Sequence, residues 1–163
     1  MNAPSQTNHS TDAVSRIAWP AILRQTTIEV FATVVGASLT APEHPEAPVP
    51  LQVTAIVGIA GSLCAIFSLR CSTHLATLIA SQMLEVPENE AAGQQFDALG
   101  EICNIVAGYF KAKVGLGDRC MLSVPTILVG NDYHVRSRSQ DVHLELPLLY
   151  EREPLWIALD IRS

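Results

Sequence analysis

The clearest hydrophobic pattern in the chain lies between residues 97 and 111. Apolar side chains recur there at steps of three and four residues, which is the spacing of one helical face; they are Leu99, Ile102, Cys103, Val106 and Phe110. A second set recurs at the same spacing on another face; it consists of Asp97, Glu101, Asn104 and Gly108. The pattern predicts a helix from about Ala92 to Val114 that buries one side in a core and presents the second set on the other.

Two earlier helices follow from similar patterns. The first begins at Trp19 and is expected to end at Gly36, since glycine readily takes the left-handed conformation that closes a helix. The second begins after residue 71, where Ser72 or Thr73 can accept the hydrogen bond of an N-terminal cap. Apolar residues follow each of these starting points at helical spacing.

The remaining segments have the alternation and β-branched content of strands. Strands are expected at about Leu51–Ile59, Ser62–Leu69, Met121–Val129, Tyr133–Arg138, Val142–Tyr150 and Pro154–Ile161. Pro125 lies inside the third of these, which implies an edge or bulged position because proline cannot donate to the ladder. Helices and strands are mixed without regular βαβ alternation. The chain therefore predicts an α+β fold, with long helices packed on a mainly antiparallel β-sheet.

Composition narrows the class of protein. At 163 residues, of which 48% are hydrophobic, the chain is most simply one domain over residues 16–163, preceded by a disordered N-terminal arm at 1–15. A net charge of −6 and scattered basic residues argue against a nucleic-acid binder. The four cysteines form no Cys-x-x-Cys and no histidine is placed to complete a zinc site. They are expected to be reduced thiols in a cytoplasmic protein.

The segment from Ala47 to Leu69 has no charged residue and is long enough to span a bilayer. Four polar residues interrupt it, however, and Gly58 and Gly61 divide it into halves rich in β-branched residues. Two buried strands joined by a tight turn fit this pattern better. A membrane-anchored protein remains the alternative interpretation.

Two motifs together resemble a known family. Residues 97–108 read Asp-Ala-Leu-Gly-Glu-Ile-Cys-Asn-Ile-Val-Ala-Gly, and residues 122–130 read Leu-Ser-Val-Pro-Thr-Ile-Leu-Val-Gly. They resemble the CheX branch of the CheC/CheX/FliY phosphatases, in which an Asp/Ser-x-x-x-Glu-x-x-Asn helix and a distal proline recur. The similarity extends over most of the chain from about Leu51. It implies an enzyme that accelerates hydrolysis of the aspartyl phosphate on a CheY-like response regulator.

The residue types suit that chemistry. An asparagine carboxamide can orient water without repelling phosphoryl oxygens, and a glutamate can pair with a lysine. The resemblance implies that Asn104 positions the attacking water and that Glu101 pairs with the regulator's active-site lysine. Asp97 matches the first motif position and is expected to support the site. Gly108 would let the partner approach closely, and Pro125 is expected to be structural.

The resemblance also bears on the number of sites and on assembly. CheC-like members carry two Glu-x-x-Asn helices, whereas CheX-like members carry one. In the first predicted helix, Glu29 is followed three residues later by Ala32, so a single site is expected. The resemblance further implies a homodimer and no cofactor of its own, with any Mg2+ held by the regulator.

Two other interpretations of the motif stay open. A Glu-x-x-Asn spacing alone also fits a solvated helix face. The same fold could also dock on a response regulator or a flagellar motor component without accelerating hydrolysis, because an intact motif does not prove aligned geometry.

Overall fold

The computed structural model describes residues 16–43, 51–130 and 142–162. The helices in these ranges are α1 (Trp19–Val30), α2 (Thr73–Leu84), α3 (Glu88–Ala91) and α4 (Gln95–Lys113). The strands are β1 (Leu39–Thr40), β2 (Val53–Gly61), β3 (Cys64–Cys71), β4 (Cys120–Leu122), β5 (Thr126–Val129), β6 (Val142–Tyr150) and β7 (Glu153–Arg162). A π-helical turn, Phe31–Val35, continues α1, and a 3-10 turn, Gly117–Arg119, leads into β4.

All described strands join one antiparallel sheet in the order β1-β6-β7-β3-β2. Both β4 and β5 pair with the outer side of β2, one after the other. Helix α4 contacts β2 and β3, and α1 and α2 in turn pack on α4. The α+β fold with long helices on a mainly antiparallel sheet is therefore confirmed.

The core lies between α4 and the sheet. The five apolar residues of the predicted stripe on α4, from Leu99 to Phe110, are completely buried. Phe110 also meets Trp19 of α1 edge to face, with ring centroids 5.6 Å apart and planes at 87°. This geometry suits the quadrupoles of two aromatic rings and joins the start of α1 to the end of α4.

The predicted helix ends are largely correct. Gly36 closes the first helix with a φ of 73°, and the Ser72 hydroxyl accepts the Leu75 N–H at 3.0 Å to cap α2. Helix α4 begins at Gln95 rather than Ala92, so that boundary was wrong. The short helix α3 precedes it, and Gly93, with a φ of 107°, turns the chain between the two helices.

The uncharged segment forms strands where the structure describes it, from residue 53 onward. The predicted strands 51–59 and 62–69 appear as β2 and β3, each starting two residues later than expected. They pair from Val53 opposite Cys71 to Ile59 opposite Ala65. Within the described ranges, none of the helices has the length and apolar character needed to cross a membrane.

The predicted strand 121–129 is interrupted by a bulge. Leu122 pairs with Ile59 and Thr126 pairs with Ile56, so three residues, Ser123 to Pro125, stand opposite two. One extra residue on an edge strand is the definition of a β-bulge. Pro125 therefore lies where the ladder is already broken, and the edge-or-bulge prediction is confirmed.

The last two described strands form a hairpin. Strand β6 has the predicted bounds, and it pairs with β7 across a two-residue turn in which Glu151 has a φ of 55°. The two-residue strand β1, which was not predicted, pairs with the far end of β6. The expected strand 133–138 and the arm 1–15 lie outside the described residues, so both, and the division into arm and domain, stay predictions.

Candidate functional site

Helix α4 carries the polar motif on its outer side. Asp97 and Glu101 are exposed, and Asn104, one turn further on, is half-buried. Among the residues that the structure describes, no hydrogen bond or ion pair engages the Glu101 carboxylate or the Asn104 carboxamide. Because the opposite side of α4 is fixed in the core, these two groups are free to bind something else while their backbone is held in place.

The bulge contacts α4 directly beside these residues. A Cβ atom placed on Gly100 would lie 3.2 Å from the Cβ of Pro125 and 3.5 Å from the Cδ1 of Ile127. The helix and the bulge approach this closely because position 100 has no side chain. Pro125, the distal proline of the motif, is thereby brought next to the turn that carries Glu101.

The edge strand then runs alongside the helix in the opposite direction. At the next contact, a Cβ atom on Gly108 would lie 3.7 Å from the Cδ1 of Leu122, and the Lys111 ammonium donates to the Cys120 carbonyl at 2.6 Å. Along the axis of α4, Pro125 is therefore level with Gly100, and Leu122 is level with Gly108. The two residues between them, Ser123 and Val124, are therefore level with the turn that carries Asn104.

Of the five predicted site residues, the structure groups four closely. Asp97, Glu101 and Asn104 occupy successive turns of α4, and Pro125 packs on the same half of the helix. Gly108 is half-buried beside Leu122, so its role in admitting a partner stays a prediction.

Sequence reasoning missed two residues at this site. The first is Gly100, for which the available signal was a glycine inside a strongly periodic helix, where it costs about 1 kcal/mol relative to alanine and so implies a packing reason. The second is Ser123, whose N–H donates to the Gly58 carbonyl and whose hydroxyl accepts the Gly58 N–H, both at 2.9 Å. The serine side chain thus replaces the ladder bond that the bulge removes.

The corresponding glutamate of the first helix is already engaged. Glu29 accepts hydrogen bonds from Lys113 and from Gln25, and the bond from Lys113 lowers the pKa of its carboxyl most. It ties α1 to the end of α4, and Ala32 follows it where a second motif would need asparagine. This position shares neither the asparagine nor the free carboxylate of the α4 motif.

Cys103 lies inside the motif but on the buried side of α4. Its thiol donates to the Ala55 carbonyl at 3.5 Å, and burial raises its pKa above the ordinary range for cysteine. A thiol held neutral in this way is a packing group, because the thiolate is the reactive form. No cluster of three potential metal ligands is present in the described residues.

Residues 53–149 match the family model described as chemotaxis phosphatase CheX, a range of more than half the chain that includes α4 and the bulge. The chain belongs to the CheX family. Among curated proteins, none matches it significantly in sequence.

Solved structures agree with a CheX fold. The chain superposes on CheX from Vibrio vulnificus with a TM-score of 0.72 at 18% identity, covering 88% of this chain and 99% of that one. For CheX in the CheX–CheY–BeF3–Mg+2 complex from Borrelia burgdorferi the TM-score is 0.71 at 17% identity, with coverage of 89% and 98%. FliY from Thermotoga maritima gives 0.61 at 17% identity, with coverage of 96% and 92%.

Proposed function

We propose that this CheX-family protein accelerates hydrolysis of the aspartyl phosphate on a CheY-like response regulator. The observation that carries the proposal is a pair of polar groups, Glu101 and Asn104, that no other described side chain engages, on the outer side of a helix whose inner side is buried. Catalysis of phosphoryl transfer is mostly positioning and electrostatic stabilisation. A rigid helix that presents two oriented polar groups supplies the positioning part of that requirement.

Each residue has a separate role in this mechanism. Asn104 orients the water that attacks the phosphorus in line, using its carboxamide as both donor and acceptor. Glu101 pairs with the regulator's active-site lysine and so holds α4 in register. Asp97 supports the first turn of the helix, Pro125 fixes the helix against the bulge, and Gly108 leaves room for the partner.

The partner class is supported by one of the structural neighbours. The CheX of Borrelia burgdorferi was crystallised in a complex that contains CheY, BeF3 and Mg+2. We propose a CheY-like regulator as the partner here as well, with the Mg2+ bound by the regulator and no cofactor brought by this chain. The reaction would then take place in the cytoplasm, where we expect this protein to act as a homodimer. Sedimentation equilibrium tests the dimer, because it measures the mass of the particle in solution, which should be that of two chains.

The deciding experiment measures the lifetime of the aspartyl phosphate on each CheY-like regulator of the same genome. Wild-type protein should shorten the lifetime of at least one of them. Asn104→Ala should slow the accelerated reaction by about a hundredfold, the usual scale for losing one positioning or proton-transfer group. Glu101→Ala should also slow it and should weaken binding, while Glu90→Ala, an exposed glutamate on α3, serves as the matched control.

The outcomes separate phosphatase from docking module. Binding to a regulator without any change in phosphate lifetime would leave only the docking role. Equal acceleration by wild type and Asn104→Ala would remove the proposed mechanism while keeping an interaction with the regulator.

A further inference from the structure

An exposed apolar strip lies next to the Glu101–Asn104 pair. Val124 is 84% exposed and Met121 is 76% exposed, although both are large apolar residues. The whole edge from Cys120 to Gly130 contains no charged residue. Apolar exposure concentrated at one place on a monomer is typical of an interaction surface.

Val124 is the part of this strip that adjoins the candidate site. It precedes Pro125, which packs against Gly100, and it is level with the turn of Asn104. Val124 is thus an exposed apolar residue level with the helix turn that carries the half-buried Asn104. A partner that reaches Asn104 from the exposed side of α4 would therefore come close to Val124.

The backbone of Val124 is held in place from beneath. The Ser123 hydroxyl accepts the Gly58 N–H at 2.9 Å and donates to the Val124 carbonyl at 3.0 Å. The first of these bonds, together with the bond from the Ser123 N–H to the Gly58 carbonyl, joins the bulge to β2, and the second fixes the Val124 carbonyl within the bulge. An exposed apolar side chain on a fixed backbone loses little entropy when a partner covers it, which is the condition for a preorganised contact.

We propose that Val124 is the apolar contact through which this face binds the receiver domain of the phosphorylated regulator, so that the bulge and α4 form one docking surface. The inference rests on the proposed function. The occupant is a receiver domain because the strip is continuous with the groups that would enter its active site. The strip also adds no negative charge that would repel a phosphoryl group, and covering it removes bulk water from around Asn104.

The test compares two exposed valines on the same edge. Val129 is 57% exposed on β5, five residues beyond Val124 and further along the edge from the turn of Asn104, and it serves as the control position. We expect Val124→Asp to raise the protein concentration for half-maximal dephosphorylation by about tenfold, the scale of losing one well-placed interface contact. The rate at saturation should stay close to that of wild type. Val129→Asp should change neither quantity.

A binding measurement separates this inference from the proposed catalysis. Titration of the BeF3-bound regulator should give about tenfold weaker binding for Val124→Asp and wild-type binding for Asn104→Ala and Val129→Asp. Equal binding by both valine variants would overturn the role of Val124 even if catalysis by Asn104 stands. Val124 could instead matter for binding while no acceleration is observed, in which case only the phosphatase proposal fails. Absence of any binding by wild type would overturn both.

Discussion

The two glycines of α4, Gly100 and Gly108, are explained by different features of the structure. Each costs helix stability, because glycine is about 1 kcal/mol less favourable than alanine inside a helix. At Gly100 an added Cβ would lie only 3.2 Å from Pro125, so the cost is offset by close contact with the bulge. At Gly108 the nearest atom would be Leu122 Cδ1 at 3.7 Å, an ordinary contact, so nothing in the described part of the chain requires glycine there.

Alanine substitutions should therefore give opposite results at these two positions. Gly108→Ala should raise the free energy of unfolding by about 0.5–1 kcal/mol, because it gains helix propensity without a clash. Gly100→Ala should lower it, because crowding at Pro125 typically costs about 1–3 kcal/mol and exceeds that gain. Urea denaturation of both variants measures the difference. A stabilised Gly100→Ala protein would show that the bulge yields easily.

The same variants test whether Gly108 admits the partner. If the regulator approaches the helix closely at this point, Gly108→Ala should be more stable than wild type yet bind the BeF3-bound regulator more weakly. Unchanged binding would reduce Gly108 to a replaceable position in the helix.

For individual residues, the sequence predicted which side chains form the motif, but it did not predict the contacts that hold their helix in place. Glu101 and Asn104 follow from spacing and resemblance, since both lie on one short helical segment. The contact between Gly100 and Pro125 joins two elements whose relative register depends on a bulge. Local periodicity contains no information on that register.

The bulge is the element that connects the sheet to the candidate site. It bends the edge strand so that Pro125 meets the first half of α4 and Leu122 meets the second half. Ser123 maintains this shape, since its side chain satisfies the Gly58 N–H that a regular strand would pair with a carbonyl. Bulges commonly reposition side chains beside active sites, and here the affected position is the turn of Asn104.

Removal of the Ser123 hydroxyl should loosen this element. Ser123→Ala leaves the Gly58 N–H without its protein partner, which should lower the free energy of unfolding by roughly 1 kcal/mol. It should also raise the half-saturating concentration for the regulator, because the backbone of Val124 loses the bond from the Ser123 hydroxyl and is held less firmly. Ser123→Thr keeps the hydroxyl and should restore both quantities. If the threonine variant behaved like the alanine variant, the hydrogen bond would not be the cause.

Among the elements, the long periodic ones were predictable and the short ones were not. Strand β6 and the end of the first helix follow from alternation and from Gly36. Strand β1 has two residues and exists only because β6 offers it an edge, while α3 occupies a stretch that local signals treat as a break. Pro125 indicated an edge or a bulge, but Ser123 gave no signal that it would complete the ladder.

In the molecule as a whole, the core between the helices and the sheet buries the thiols of Cys71 and Cys103 away from water. Burial raises the pKa of Cys71 to about 12, with a smaller contribution from Glu153, and it raises the pKa of Cys103 as well. Cys64, by contrast, is exposed on the outer end of β3. The thiols thus report on the integrity of the layer that holds α4 against β2 and β3.

Alkaline pH should therefore destabilise the fold in a way that depends on these residues. An unfolded cysteine ionises near pH 8.5, whereas the buried thiols stay protonated in the folded state. Their contribution is complete below about pH 8.5 and is lost as pH rises towards the raised folded pKa, by up to about 1.4 kcal/mol per pH unit for each thiol. Urea denaturation between pH 8 and 10.5 should show this decline. Cys71→Ala should make this decline shallower by about that slope. Equal slopes for wild type and Cys71→Ala would mean that water reaches this layer in the folded protein.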